Sequence, residues 1–282
     1  MEIEFVKISP TQNMTILVTS PVERRHQMDV AKKIMAYDSV YAEQVGFIEK
    51  PENPNALARL QMAGGEFCGN AALSLCAYLV WSGNGENGAK REKYTVPIEV
   101  SGTSGILYCD IKKEDGYFLA KTSMPLPESV ESFDSKIANS PLPVVYMPGI
   151  THVIADTDKL GISKYALMEN LVSNPASFTG EDAFGIMFYD EKTCFIEPFV
   201  CVATSGTSVW ERGCGSGSAA LGAYLAHSLG RSIKADVAQP GGVITVEAEM
   251  ADGKLTGISI EGKVVIAAQG KAYISATEHM LH

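Results

Sequence analysis

The sequence predicts an α/β (α+β) protein of two similar halves, each built of strands around one buried helix. Three observations carry this. A cysteine-headed stretch occurs twice, as Glu66-Phe-Cys-Gly-Asn-Ala-Ala-Leu-Ser-Leu-Cys-Ala-Tyr-Leu79 and as Gly213-Cys-Gly-Ser-Gly-Ser-Ala-Ala-Leu-Gly-Ala-Tyr-Leu225. Aligned on Cys68 and Cys214, Gly69 meets Gly215, Leu75 meets Leu221, Ala77 meets Ala223, Tyr78 meets Tyr224 and Leu79 meets Leu225, an offset of 214 − 68 = 146 residues in a chain of 282. The first stretch is apolar nearly all round, from Ala71 to Trp81, and such a helix is stable only when buried on every side. Elsewhere strand-like segments outnumber helical ones, with no regular βαβ alternation.

Taken in order, Ile3 to Ile8 and Thr15 to Val18 read as strands around the turn-like Ser9-Pro-Thr-Gln-Asn13. Glu23 to Ala36 reads as a helix, with apolar Val30, Ala31, Ile34 and Met35 at helical spacing. Tyr41 to Ile48 is a strand with polar Glu43 and Gln44 near its start, Pro51 to Asn55 a turn, and Leu57 to Met62 a strand leading to the first cysteine helix. Gly83 to Lys93 is a polar loop, and strands follow at Thr95 to Val100, Gly105 to Ile111 and Tyr117 to Ser123. The Pro- and Ser-containing stretch Ser123 to Pro143 is the crossover between halves. The order then repeats: strands at Val144 to Met147 and His152 to Ala155, a helix at Ile162 to Val172, and a strand at Ala183 to Tyr189. Strands at Cys194 to Val202 and Ser208 to Trp210 precede the second cysteine helix. Gln239-Pro-Gly-Gly242 turns into Val243 to Ala248, followed by Lys254 to Glu261, Lys263 to Ala267 and Lys271 to Ser275. The domains expected are therefore 1–122, joined by the returning segment 268–282, and 123–267.

Composition excludes several function classes. A hydrophobic content of 46% with 20% charged residues is that of a soluble globular chain. The net charge of −10 leaves no basic excess to neutralise phosphates, so no nucleic-acid partner is expected. The longest apolar run is too short to cross a bilayer, and Met-Glu-Ile-Glu-Phe at the start is unlike a signal peptide, so a cytoplasmic protein without membrane contact is expected. The six cysteines form no C-x-x-C pair, and free thiols with no metal site are expected in a reducing compartment. There is no P-loop and no dinucleotide fingerprint.

A cysteine just ahead of a helix is expected to have a depressed pKa, because unpaired N–H groups and the helix dipole favour thiolate. The same amides hold carboxylates. Two such sites at one cavity would let one thiolate remove a Cα proton while one thiol returns a proton to the other face. Singly, Cys68 and Cys214 would be core residues; their repetition beside glycine and before a helix reads as catalytic. Cys76, Cys109, Cys194 and Cys201 read as core. His26, His227, His279 and His282 give no signal, and His152 beside a strand reads as structural.

The motifs Phe67-Cys-Gly-Asn-Ala71 and Gly213-Cys-Gly-Ser-Gly-Ser-Ala219 resemble those of the cofactor-independent diaminopimelate epimerase family. Asn13, Gln239-Pro-Gly-Gly242 and Gly270-Lys-Ala-Tyr-Ile274 extend the resemblance over nearly the whole chain. It implies two pseudo-symmetric halves, each a β-barrel-like mixed sheet around a central helix, with the active site in the cleft between them. It implies Cys68 and Cys214 as the acid/base pair, no pyridoxal, metal or nucleotide cofactor, and often a homodimer. Asn13 would bind the α-carboxylate or amino group of an amino-acid substrate. Gly69, Asn70, Gly215 and Ser216 would present backbone amides, and Glu211 would orient the ammonium or polarise Cys214.

Departures argue against diaminopimelate itself. Leu60 to Glu66 lacks the asparagine expected before the first cysteine, Ile150-Thr-His152 replaces Asn-Pro-His, and only Gly213 separates Glu211-Arg212 from Cys214. Asn13 to Val18, Glu43 to Glu49 and Glu66 to Asn70 are more similar to the histidine racemase branch, whose members supply D-histidine for staphylopine-type metallophores. On that reading Glu43 and Gln44 both bind the substrate, Glu43 accepting a hydrogen bond from the imidazole of histidine; from its residues alone, Glu43 is equally an ordinary surface or paired carboxylate. Alternatives are diaminopimelate epimerase, a racemase of another amino acid such as proline or lysine, and a non-catalytic amino-acid-binding relative.

Overall fold

A computed structural model describes residues 1–83, 92–202 and 206–275. The chain forms two compact units, Met1–Thr122 with the chain from Gly262 onward, and Ser123–Glu261. The first contains β1 (Glu2–Pro10), β2 (Thr15–Val18), α1 (Arg24–Met35), β3 (Gln44–Glu49), β4 (Ala58–Met62), α2 (Gly69–Trp81), β5 (Lys93–Val100), β6 (Leu107–Glu114) and β7 (Tyr117–Ser123). The second contains β8 (Ser129–Phe133), β9 (Leu142–Met147), β10 (Ile150–Asp156), α3 (Lys164–Ser173), β11 (Ala183–Asp190), β12 (Phe195–Val202), β13 (Thr207–Trp210), α4 (Gly215–Leu229), β14 (Ile233–Gln239) and β15 (Gly242–Ala251). A final strand, β16 (Lys254–Tyr273), begins in the second unit and ends in the first. The polar loop expected at Gly83 to Lys93 falls largely outside the described residues.

The two units share one strand order. In the first, β1 pairs antiparallel with β2, β2 parallel with β3 across α1, β3 antiparallel with β4, β4 parallel with β5 across α2, and β5 antiparallel with β6. In the second, β9, β10, β11, β12, β14 and β15 repeat that alternation across α3 and α4. Each parallel pair spans one helix, so four βαβ steps are present that periodicity did not disclose. A parallel pair needs such a long crossover. β16 neighbours both β1 and β7, which closes the first unit's strands into a ring.

Both sheet faces are covered, and the alternation along the strands says by what. All four residues of β2 are buried. Ile16 and Val18 pack with Val30, Ala31 and Ile34 of α1, while α2 packs against β1 to β6. In β11, Phe184, Ile186 and Phe188 pack with Leu167 and Leu171 of α3, and α4 packs against β8 to β11, β14 and β15. Hence α2 is buried along nearly its whole length, with only Trp81 at its end strongly exposed. No helix among the described residues is long and apolar enough to cross a membrane.

Four expectations are corrected. The Ser123 to Pro143 crossover contains β8, which pairs with β9. β14 was unpredicted: its alternation is diluted by Lys234, Ala235 and Asp236, yet β15 completes its ladder. The three strands expected after Lys254 are one, because neither Gly262 nor Gly270 interrupts pairing. For the same reason the return to the first unit comes at Gly262 rather than residue 268, since β1 already pairs with β16 from Val264.

Candidate active site

Each cysteine of the repeated motif occupies the N-cap of its unit's buried helix. Cys68 (φ −136°, ψ 111°) and Cys214 (φ −111°, ψ 106°) are both extended. Each sulfur accepts a hydrogen bond from the amide three residues on, Ala71 N at 3.4 Å and Gly217 N at 3.3 Å. A side-chain acceptor at the N-cap satisfies one of the amides a helix start leaves without an intrahelical partner. Here thiols do what serine or aspartate ordinarily does, and the contact favours thiolate.

In the first unit the thiol meets a side-chain network. Cys68 Sγ donates to Gln44 Oε1 at 2.8 Å. Gln44 Nε2 donates to Asn13 Oδ1 and to Thr15 Oγ1, each at 2.7 Å. Thr15 in turn donates to the Asn13 carbonyl at 3.4 Å. The parallel register sets this up, since Thr15 lies opposite Gln44 in the β2–β3 ladder. Glu43 joins through its backbone, its N–H donating to Met14 O at 2.8 Å. The segment entering α2 is held by Ser101, just past β5: its hydroxyl donates to Glu66 O at 2.8 Å and accepts from Met62 N at 2.9 Å. Gly102 (φ 73°) follows, and a Cβ there would come within 2.2 Å of Phe67 N, so glycine is required for that approach.

In the second unit the equivalent clamp is Gln239, the last residue of β14, as Ser101 follows β5. Gln239 Oε1 accepts from Cys214 N at 2.7 Å, and Nε2 donates to Ser218 Oγ at 2.8 Å. The Ser218 hydroxyl donates to Cys214 O at 2.7 Å, which closes the loop. Ser216 Oγ lies 3.6 Å from Cys214 Sγ. Cys214 is almost wholly buried, and its thiol pKa is pushed well above the usual value. Burial is the main cause, followed by the charge of Glu211 and its hydrogen bond to the thiol; Ser216 and the Gly217 amide act in the opposite sense. The depressed pKa expected at a helix start is therefore reversed for Cys214, because desolvation and an adjacent carboxylate outweigh the dipole. Gly217 leaves room for this packing: a Cβ would meet Met187 Sδ at 2.2 Å and Cys214 Sγ at 3.1 Å.

Of the residues singled out in the sequence, Asn13, Gln44 and Cys68 are thus brought together, as are Glu211, Ser216 and Cys214. Gly69 and Asn70, and Gly215 and Ser216, are the first two residues of their helices. Arg212 is exposed and donates to Pro240 O at 3.0 Å. Thr15, Ser101, Ser218 and Gln239 were not anticipated. Gln239 heads the Pro-Gly-Gly turn and Ser218 lies within the second cysteine motif, both of which the sequence did mark; Thr15 in an apolar strand and Ser101 in the Ser-Gly-Thr-Ser turn carry no local signal of their own. His152 is fully buried, and neither ring nitrogen has a hydrogen-bond partner among the described residues. Burial lowers its pKa to about 3, so the ring is neutral. All six cysteines are free thiols. A cavity of about 240 Å³ in the second unit lies at the other end of α4, lined by Asp156, Lys159, Tyr189 and Tyr224, and includes neither motif cysteine.

Residues 2–273 match the family model described as the histidine racemase CntK N-terminal domain. A histidine racemase of Fusobacterium nucleatum is 33% identical over 275 residues, 96% of this chain and 97% of that protein. One from Staphylococcus aureus is 31% identical, over 96% and 98% of the two chains. Among solved structures, a probable proline racemase from Agrobacterium radiobacter superposes with a TM-score of 0.66 at 14% identity, over 98% of this chain and 93% of that one. A predicted epimerase from Pseudomonas aeruginosa does so with a TM-score of 0.66, also at 14% identity, over 96% and 99%. These last two share the fold. With the family model spanning both cysteine-capped helices, the chain belongs to the histidine racemase family.

Proposed function

We propose that this protein interconverts L- and D-histidine by moving the Cα proton between two sulfur atoms, those of Cys68 and Cys214, without pyridoxal or metal. The observation that supports this is the repeated placement of a cysteine at the N-cap of the buried helix, each thiol hydrogen-bonded to a strong acceptor.

Racemisation by two bases asks each sulfur to be stable both as thiol and as thiolate, since the roles exchange with direction. The contacts supply both tendencies. Ala71 N and Gly217 N stabilise thiolate, whereas Gln44 and Glu211 stabilise the protonated sulfur. Glu211 is also able to receive the Cys214 proton, which Gln44 cannot do for Cys68. The substrate carboxylate is held by the helix-start amides of Gly69, Asn70, Gly215 and Ser216, where developing negative charge is stabilised by fixed dipoles. Asn13 contributes an amide to the same end, and Glu43 accepts from the imidazole. The chemistry requires the two sulfurs to reach opposite faces of one Cα. A reducing cytoplasm keeps such thiols active, and the same reading includes a homodimer, which sedimentation would test.

The test is to incubate purified protein with single L-amino acids in deuterated water and follow loss of the Cα proton together with chirality. Histidine should exchange and racemise, and Cys68→Ser or Cys214→Ser should each slow this by about 10²–10⁴-fold. Exchange with diaminopimelate or proline but not histidine would overturn the substrate. Unchanged rates in both serine variants would overturn the chemistry.

A further inference from the structure

We infer that Gln44 is a positioning residue that holds Cys68 in its protonated form, with its own orientation dictated by Thr15. This deepens the two-thiol reading above and rests on it. A glutamine amide has two faces, and which one meets the thiol decides what the thiol does. Thr15 spends its proton on the Asn13 carbonyl, so its oxygen is left as an acceptor. Gln44 must therefore turn its NH₂ group toward Thr15 and Asn13 Oδ1, two acceptors at 2.7 Å. That leaves only the carbonyl facing Cys68, 2.8 Å from Sγ. A carbonyl has no proton to give, so only the protonated sulfur makes this contact, which is lost when Cys68 becomes thiolate. Were Cys68 a thiolate, two acceptors would face each other at that distance. Both amide protons of Gln44 are already committed inside the protein, so its part is to set the thiol rather than to grip a ligand through them. Thr15 is fully buried.

The two units differ at this point. Cys214 has a carboxylate beside it and Cys68 a neutral amide, so the two thiols begin with different proton acceptors.

The experiment follows alkylation of Cys68 by iodoacetamide as a function of pH in the intact protein, read by mass spectrometry of the Cys68 peptide, alongside kcat and KM for histidine. Gln44→Asn draws the carbonyl back by one methylene without making the site apolar. Thr15→Val removes the acceptor that orients Gln44, and Thr15→Ser keeps it. Losing one hydrogen bond to the thiol form should move the alkylation midpoint down by about 0.5–1 pH unit in Gln44→Asn and Thr15→Val. kcat should fall about 10-fold with KM within twofold, and Thr15→Ser should behave as wild type. Midpoints unchanged in both variants, or a loss carried by KM alone, would overturn the inference. Racemisation that survives Cys68→Ser would instead overturn the two-thiol reading, while the alkylation midpoints would still decide the Gln44 contact.

Discussion

Acid should destabilise this fold through one residue before its carboxylates respond. His152 on β10 is fully buried and held neutral, its pKa lowered from 6.5 to about 3 by burial. The native state thus binds fewer protons than the unfolded chain between those two values. Its contribution is fully present above pH 6.5 and is lost as pH falls toward 3. The whole window is worth about 5 kcal/mol at roughly 1.4 kcal/mol per unit. Between pH 7 and pH 5 the linkage integral gives about 2 kcal/mol. Urea unfolding, followed by the fluorescence of Trp210, which stacks on Phe188 in the second unit's core, should show this loss. His152→Leu removes the titrating group with little change of volume, and should reduce the pH 7-to-5 loss by that amount. The carboxylates with lowered pKa, such as Glu49 and Glu99, respond at more acidic pH and drop out of the difference. Equal losses in the two proteins would refute the reasoning, because a ring that charges freely in the folded state contributes no slope.

Two further outcomes follow from the second cysteine. Gly217→Ala puts a methyl against Met187 Sδ and Cys214 Sγ; it should cost about 1–3 kcal/mol of stability and most of the racemisation, and Met187→Ala in the same protein should restore both in a thermal melt and rate assay. Glu211→Gln removes a charge that raises the Cys214 pKa, so alkylation of Cys214 should reach its midpoint at lower pH, with a rise or no change refuting the contact.

The cysteine helices could be read in the sequence because their signal is local and doubled: thiol, glycine and an unbroken apolar run, the whole occurring twice. Resemblance then supplied the chemistry. What supports the thiols was not legible, since it depends on pairing between distant strands. Thr15 orients Gln44 only because β2 and β3 are parallel and in the register that sets the two side by side. Gln239 reaches Cys214 N from 25 residues away, at the end of β14, a strand whose own pattern was too polar to announce it. The glycines of β16 make one strand read as three in the sequence. Within a ladder paired to neighbours, Gly262 and Gly270 weaken a strand without ending it. The raised pKa of Cys214 is not legible locally, because it comes first from burial by distant elements, which outweighs the dipole of its own helix.

The burial of the thiols also sets how the molecule meets electrophiles. Cys68 and Cys194 are partly exposed, and the other four cysteines are buried. A small thiol reagent added to the native protein therefore has two first targets, one in the site and one in the turn after β11. Histidine should shield the former and leave the latter bare. The ratio of the two labels then reports site occupancy within a single sample, Cys194 serving as the built-in reference.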